Sequence, residues 1–253
     1  MSWRAFVVVL VILTAIAGAQ FPAEKPSVDS GRAIFLQNCA GCHGVKGDGS
    51  GIGGAYNFTD DVIIINRSSA EFFASITNGR PKTAMPAFGA RLTEAKRWDA
   101  IAYIWTFWAD RTSTLIGKSI YEANCATCHG MTGDGSEISR GFAGKRPFDF
   151  TNLSTMASKR PSELFDGVTN GAGTEMPAWK ERLSGDERWD AVRYAWTFQF
   201  SDYAVSPTPS TMTGIPPATG DLYKEPGGIA IIVISLAIAG AILYLFIRGL
   251  RER

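Results

Sequence analysis

Residues 31–44 read GRAIFLQNCAGCHG, and residues 117–130 read GKSIYEANCATCHG. Gly31, Ile34, Asn38, Cys39, Ala40, Cys42, His43 and Gly44 return 86 positions later as Gly117, Ile120, Asn124, Cys125, Ala126, Cys128, His129 and Gly130, with Phe35 answered by Tyr121. The match continues through Gly47-Asp48-Gly49-Ser50 and Gly133-Asp134-Gly135-Ser136. It reappears at an offset of 91 in Met85-Pro86-Ala87 and Met176-Pro177-Ala178, in Arg97-Trp98-Asp99-Ala100 and Arg188-Trp189-Asp190-Ala191, and in Trp105-Thr106-Phe107 and Trp196-Thr197-Phe198. Self-similarity at a fixed offset marks a copied structural unit. Two tandem domains follow, residues 20–112 and 113–201.

Each copy has the same all-α pattern: a helix running into the Cys pair, a Gly-rich loop, a middle helix, a Met loop and a terminal helix. The caps agree with it. Ser68-x-x-Glu71 is a capping box for the first middle helix, and Ser184-x-x-Glu187 opens the second terminal helix. Asn78-Gly79 and Asn170-Gly171 predict left-handed helix stops. Trp98, Ile101, Trp105 and Trp108 recur at helical spacing and read as core. The β-branched run 62–65 fits either a short strand or a buried wall. Residues 110–115 are too short for a free linker, so the copies are expected to pack together.

The composition is that of a folded chain, 253 residues with 45% hydrophobic and 19% charged, which excludes disorder. Lys plus Arg number 25 and Asp plus Glu 24, so no basic field for nucleic acid exists. Residues 20–112 carry ten basic and nine acidic side chains, residues 113–226 eleven and fourteen, so the second half is the more acidic. Residues 5–19 are uncharged and close on Ala17-Gly18-Ala19, which reads as a secretory signal peptide, residues 1–19, or as an uncleaved anchor. Residues 227–247 contain no charge and precede Arg248, Arg251 and Arg253. That pattern predicts a transmembrane helix with the tail 248–253 in the cytoplasm and the domains outside. Between them, residues 202–226 hold five Pro among Ser, Thr and Gly and read as an extended tether.

Two thiols three positions apart can add to the vinyl groups on one edge of a haem, while a His directly after the second can reach the iron. Here two such motifs consume every Cys and both His of the chain. Zinc held by four Cys and a pair of redox disulfides are the competing readings, and neither calls for two His at identical offsets. Two covalently bound haem c groups are therefore expected, on Cys39 and Cys42 and on Cys125 and Cys128, with His43 and His129 on the irons. No third His remains for the sixth position. The repeat selects Met85 and Met176, since Met131 and Met156 replace Val45 and Ile64 and Met212 falls in the tether. A sulfur ligand leaves no open site for a substrate, so saturated iron implies electron transfer rather than catalysis. The run Gly49-x-Gly51-x-x-Gly54 matches a dinucleotide fingerprint, but no strand precedes it.

These motifs resemble the class I cytochrome c family twice over, across roughly residues 28–200. The resemblance implies that Gly31 and Gly117 let the first helix of each copy cross the last near Tyr103 and Tyr194. It also implies a carbonyl that orients the ligand His: Pro147 offers one for His129, and copy one has no equivalent Pro. The two haems are accordingly expected to differ in potential. In architecture the whole chain is similar to the dihaem cytochrome c subunit of actinobacterial-type cytochrome bc complexes. The function implied is a membrane-anchored relay of single electrons from a quinol-oxidising complex to a terminal oxidase, a photosynthetic reaction centre or a soluble carrier. A fixed subunit of a larger respiratory or photosynthetic complex is the alternative. A dihaem enzyme such as a peroxidase is a third, against which stands the lack of a spare His.

Overall fold

Short polar side chains start the helices. The Ser27 hydroxyl accepts from the Ser30 amide and opens α1, Val28–Asn38; Ser68 and Glu71 close a capping box on α4, Ser69–Asn78; and Thr93 opens α5, Glu94–Trp105. Single turns form α2, Ala40–His43, and α3, Asp61–Ile64. Copy two repeats the series as α6, Arg111–Asn124, α7, Ala126–His129, α8, Leu153–Met156, α9, Pro161–Asn170, and α10, Gly185–Thr197. This computed structural model describes residues 21–52, 54–136 and 146–203. The predicted signal peptide, transmembrane helix and cytoplasmic tail, and all of the tether beyond residue 203, lie outside them. Among the described residues no helix is long and apolar enough to cross a membrane, and the β-structure is limited to isolated bridges.

The run 62–65 is neither a strand nor a wall. Asp60 accepts from the amides of Val62 and Ile63 and winds the segment into α3, so only Ile64 is buried while Val62 is 76% exposed. A side-chain cap on two backbone amides outweighs β propensity over four residues.

In each copy the first and last helices cross at a glycine. A Cβ on Gly31 would stand 1.9 Å from the Asp99 carbonyl oxygen, and one on Gly117 1.9 Å from that of Asp190, with Tyr103 and Tyr194 alongside. The expected crossing is therefore present in both copies. In copy one Asp99 ties it down by accepting from the Ser27 amide at 2.8 Å and the Ser30 hydroxyl at 2.7 Å.

The copies share one core. Asp110 accepts from the amides of Thr112 and Ser113 and caps α6, so copy two begins its first helix within a turn of the end of copy one. Trp105 and Trp196, both fully buried, meet at 4.7 Å between centroids, and Trp108 packs edge-on to Trp189 and Trp196. Each buried indole withdraws on the order of 200 Å² from water, about 5 kcal/mol at the usual coefficient. The ion pairs across the same boundary, Arg193 to Asp61 at 3.3 Å and Arg160 to Glu71 at 3.6 Å, are partly solvated and contribute at most about 1 kcal/mol each. Backbone bonds, Ala70 N–H to Ala157 O and Ser162 N–H to Ile65 O, set the register.

Candidate functional site

The Cys pairs sit on a bend between helices. Cys39, at φ −120°, ψ −35°, ends α1, and its own carbonyl accepts from the His43 amide at 2.9 Å to start α2. Cys125 does the same for α7, its carbonyl accepting from His129 N at 2.9 Å. The two thiols of each copy thus lie one turn apart with the His next in line. The Gly-rich loop folds back onto the motif: Gly49 and Gly135 donate to the carbonyls of His43 and His129, and a Cβ on Gly51 would stand 2.3 Å from the Gly41 carbonyl oxygen. These glycines serve close packing on the Cys-x-x-Cys-His turn, and no strand introduces them.

His43 Nδ1 lies 2.9 Å from the Tyr56 carbonyl oxygen, and His129 Nδ1 lies 3.3 Å from that of Phe148. A carbonyl only accepts, so Nδ1 carries the proton and Nε2 keeps a lone pair for a metal. Phe58 and Phe150 flank the imidazoles at 4.7 and 5.0 Å. The orienting carbonyl of copy two is therefore that of Phe148, one residue beyond the expected Pro147, and copy one has its counterpart in Tyr56. Pro147 packs instead against Gly135, where a Cβ would stand 2.7 Å from the Pro147 carbonyl oxygen. The expectation of unequal potentials loses its original ground, since neither His lacks a partner. The signal was present in the sequence: Tyr56-Asn57-Phe58-Thr59-Asp60 recurs as Phe148-Asp149-Phe150-Thr151-Asn152 at an offset of 92. It is blurred because every position but Phe and Thr changes type.

Burial, with the neighbouring Cys42 adding to it, pushes the Cys39 thiol up to about 11, and burial beside Cys128 does the same for Cys125. Burial lowers the His129 pKa against the pull of the Phe148 carbonyl. The imidazole of copy two is thus favoured in the neutral form that ligates metals.

The Met loops close each copy from the other side. Gly79 and Gly171 end α4 and α9 at φ 69° and 80°, but with ψ of −173° and 170° the chain leaves extended rather than in the left-handed stop the sequence suggested. The cause is the Met loop itself, pressed so close that a Cβ there would be 2.8 Å from the Met85 carbonyl oxygen or 2.6 Å from that of Met176. Arg80 N–H bonds to the Met85 carbonyl, and Ala172 and Met176 exchange backbone bonds. In copy two Cys125, Cys128, His129 and Met176 line one cavity of about 570 Å³, with Phe150, Leu164, Val168 and Val192 among its apolar walls. Met131 is 53% exposed and Met156 fully buried in the core, and neither lines it. In copy one Met85 and Cys39 both pack against the core that holds Phe58.

Volume, apolar lining and a donor set of imidazole, thioether and two thiols fit a covalently attached haem. All four Cys are free, and among the described residues no group of three or more His, Cys, Asp or Glu could hold a metal.

Two all-helical copies, each with this bend, this His orientation and this Met loop, define a dihaem class I cytochrome c. The chain belongs to the family described as cytochrome c oxidase, cbb3-type, subunit III, which matches residues 26–104 and 113–194. It carries two covalently bound haem c groups. Over 193 residues it is 33% identical to the cbb3-type cytochrome c oxidase subunit CcoP of Azospirillum sp. (strain B510), covering 68% of this chain and 64% of that one. Over 165 residues it is 31% identical to the subunit FixP of Azorhizobium caulinodans, covering 61% and 54%. The chain thus spans somewhat under two thirds of the length of these relatives. A chain of the Kuenenia stuttgartiensis reducing HAO-like protein complex is 26% identical over 70% of this chain and 99% of its own, with a TM-score of 0.30.

Proposed function

We propose that the protein is a membrane-anchored dihaem electron carrier working as a subunit of, or donor to, a cbb3-type oxidase. Cys39 and Cys42 would hold one haem and Cys125 and Cys128 the other, with His43 and Met85, and His129 and Met176, as the residues that would ligate the irons. The observation that carries this reading is the placing of His129 and Met176, 47 residues apart in sequence, on one apolar cavity beside both Cys of the motif. When bound, each haem iron supplies a one-electron couple. The residues do the rest: the Tyr56 and Phe148 carbonyls fix the imidazole tautomer, Met85 and Met176 would offer their thioethers to the irons, and Trp105 and Trp196 exclude water between the copies.

The relatives' names support an oxidase as the electron acceptor, and the apolar run 227–247 supports attachment to the membrane with the haem domains on the extracytoplasmic face. Electrons would then come from a quinol-oxidising complex. The architectural likeness to the cytochrome c subunit of actinobacterial-type bc complexes rests on the order of signal segment, two haem domains and C-terminal apolar run, and makes a fixed place on the quinol-oxidising side the second reading. Co-purification decides between them: an oxidase catalytic subunit supports the first, a cytochrome b the second.

The site assignment is tested by the weak near-infrared sulfur-to-iron band of the oxidised protein. Both haems should show it, and substitution of Met85 or of Met176 should each remove half. A haem lacking the band in the native protein would overturn its Met assignment and reopen a peroxidase reading.

A further inference from the structure

The two Met loops occupy the same place in their copies and carry opposite charge. Between Asn78 and Lys96 the exposed ionisable side chains are Arg80, Lys82, Arg91 and Lys96, and the one acid of the stretch, Glu94, is half-buried. In copy two the corresponding stretch exposes Glu175, Glu181, Asp186 and Glu187 against Lys180 and Arg182. Lys96 becomes Glu187, and Arg80-Pro81-Lys82-Thr83-Ala84 becomes Ala172-Gly173-Thr174-Glu175. None of the ion pairs among the described residues involves the four cations of copy one.

The backbone shows that one of these cations sits where a side chain is unwelcome. Thr83 N–H bonds to the Arg80 carbonyl at 3.2 Å across Pro81 and Lys82, and Lys82 has φ 64°. Pro at the second place and positive φ at the third is the type II arrangement, which favours Gly or Asn at that third place. Counted back from the Met, copy two has Gly173 at the same place, with φ 63°. Copy one thus holds a Lys in a backbone conformation that copy two gives to Gly, and among the described residues no ion pair involves it.

We propose that the Met85 loop is a docking face for an acidic one-electron redox protein, and that the Met176 loop is not. The inference rests on the electron-carrier reading above. Its centre, Pro86 and Ala87 beside half-buried Met85, is small and apolar, and its rim is cationic, the layout of a transient protein interface. The stretch exposes only Ala and Pro among apolar residues, which gives a bilayer nothing to take up. A basic rim steers an acidic partner to this loop and repels a basic one. Electrons would cross between proteins at copy one.

The full-length two-haem protein, reduced and in detergent, is mixed rapidly with hexacyanoferrate(III) or with tris(phenanthroline)cobalt(III), trivalent probes of opposite sign, with and without poly-L-glutamate. In R80Q/K82Q, oxidation by the anion should slow about fivefold at low ionic strength and oxidation by the cation should not slow. The difference should close near 1 M salt, where the screening length is about 3 Å. Poly-L-glutamate should slow the native protein and spare the variant. K82G, which relieves the backbone, should still slow the anion reaction, and K180Q in copy two should leave it unchanged. Equal anion rates in native protein and R80Q/K82Q, or an equal loss in K180Q, would overturn the proposal. So would indifference to poly-L-glutamate together with charge-dependent sedimentation on phosphatidylglycerol vesicles, which would assign the patch to lipid. If neither probe exchanges electrons with either haem, the electron-carrier reading itself falls.

Discussion

At the scale of single residues, the two glycines at the helix crossings and the two methionines at the closed ends of the copies govern different properties. Gly31→Ala puts a Cβ inside the Asp99 carbonyl, 1.9 Å away, and backbone on both sides has no rotamer with which to yield. The expected cost is about 3 kcal/mol, at the upper end of overpacking penalties, read as a lowered denaturant midpoint of the haem-loaded protein. Met85 and Met176 are both half-buried, and their thioethers bear on redox chemistry. Replacing either by a His should instead lower the potential of its own haem by on the order of 0.1 V or more, within the ~0.8 V range over which axial ligands set haem potentials, in a redox titration that leaves the other haem unmoved. The sequence marks the Cys-x-x-Cys-His residues and both Met as candidates because chemistry permits few substitutes at those positions. The orienting carbonyls of Tyr56 and Phe148 are not so marked, since a backbone group leaves no mark on residue identity and only the neighbouring Phe58-Thr59 and Phe150-Thr151 repeat.

At the scale of elements, the caps read from the sequence hold: Ser68 with Glu71 and Ser184 with Glu187 both form reciprocal boxes. The misreadings fall where something outside the element decides its end. The turn at 61–64 answers to Asp60, and the exits at Gly79 and Gly171 answer to Met loops that are close in space and not in sequence. Asp110 is the cap with the most consequence, because it starts α6 at the junction of the copies. Although burial alone would raise its pKa, the bonds from Ser113 and Thr112 and the charge of Arg193 hold its carboxyl below the usual aspartate value. A lowered folded pKa means that the stabilisation is complete above about pH 4 and is lost as pH falls through the folded value. Asp110→Ala should therefore destabilise by about 1 kcal/mol at neutral pH, and the difference from the native protein should shrink in acid. Thermal melts across that range measure it.

At the scale of the whole molecule, the repeat announced two domains, but it could not announce that they would unfold together. Trp105, Trp108, Trp189 and Trp196 each look like the private core of one copy at helical spacing, and only the fold brings them face to face. With the indole packing contributing far more than the ion pairs, the described residues should melt as one cooperative unit. Trp196→Ala should cost about 3–5 kcal/mol and lower the unfolding midpoint seen at both haems together. A midpoint that moved at one haem alone would contradict the shared core.

The ends of the described stretch meet in this arrangement. Ser201 N–H bonds to the Pro26 carbonyl and Val28 N–H to that of Ser201, while Lys25 reaches the Phe198 carbonyl and the Tyr203 hydroxyl bonds to Ala109. The first residues of copy one and the last of copy two therefore lie side by side, and the duplicated unit is close to a closed ring of chain. A circular permutant opened before Arg111, with residue 203 joined to residue 21 by a few glycines, would keep the tryptophan contacts between the copies, give up the Asp110 cap on α6, and reverse the order in which the copies are translated. Which copy comes first is thus a matter of wiring and not of folding, and it decides only which of the two Met loops belongs to the copy next to the segment that continues beyond residue 203.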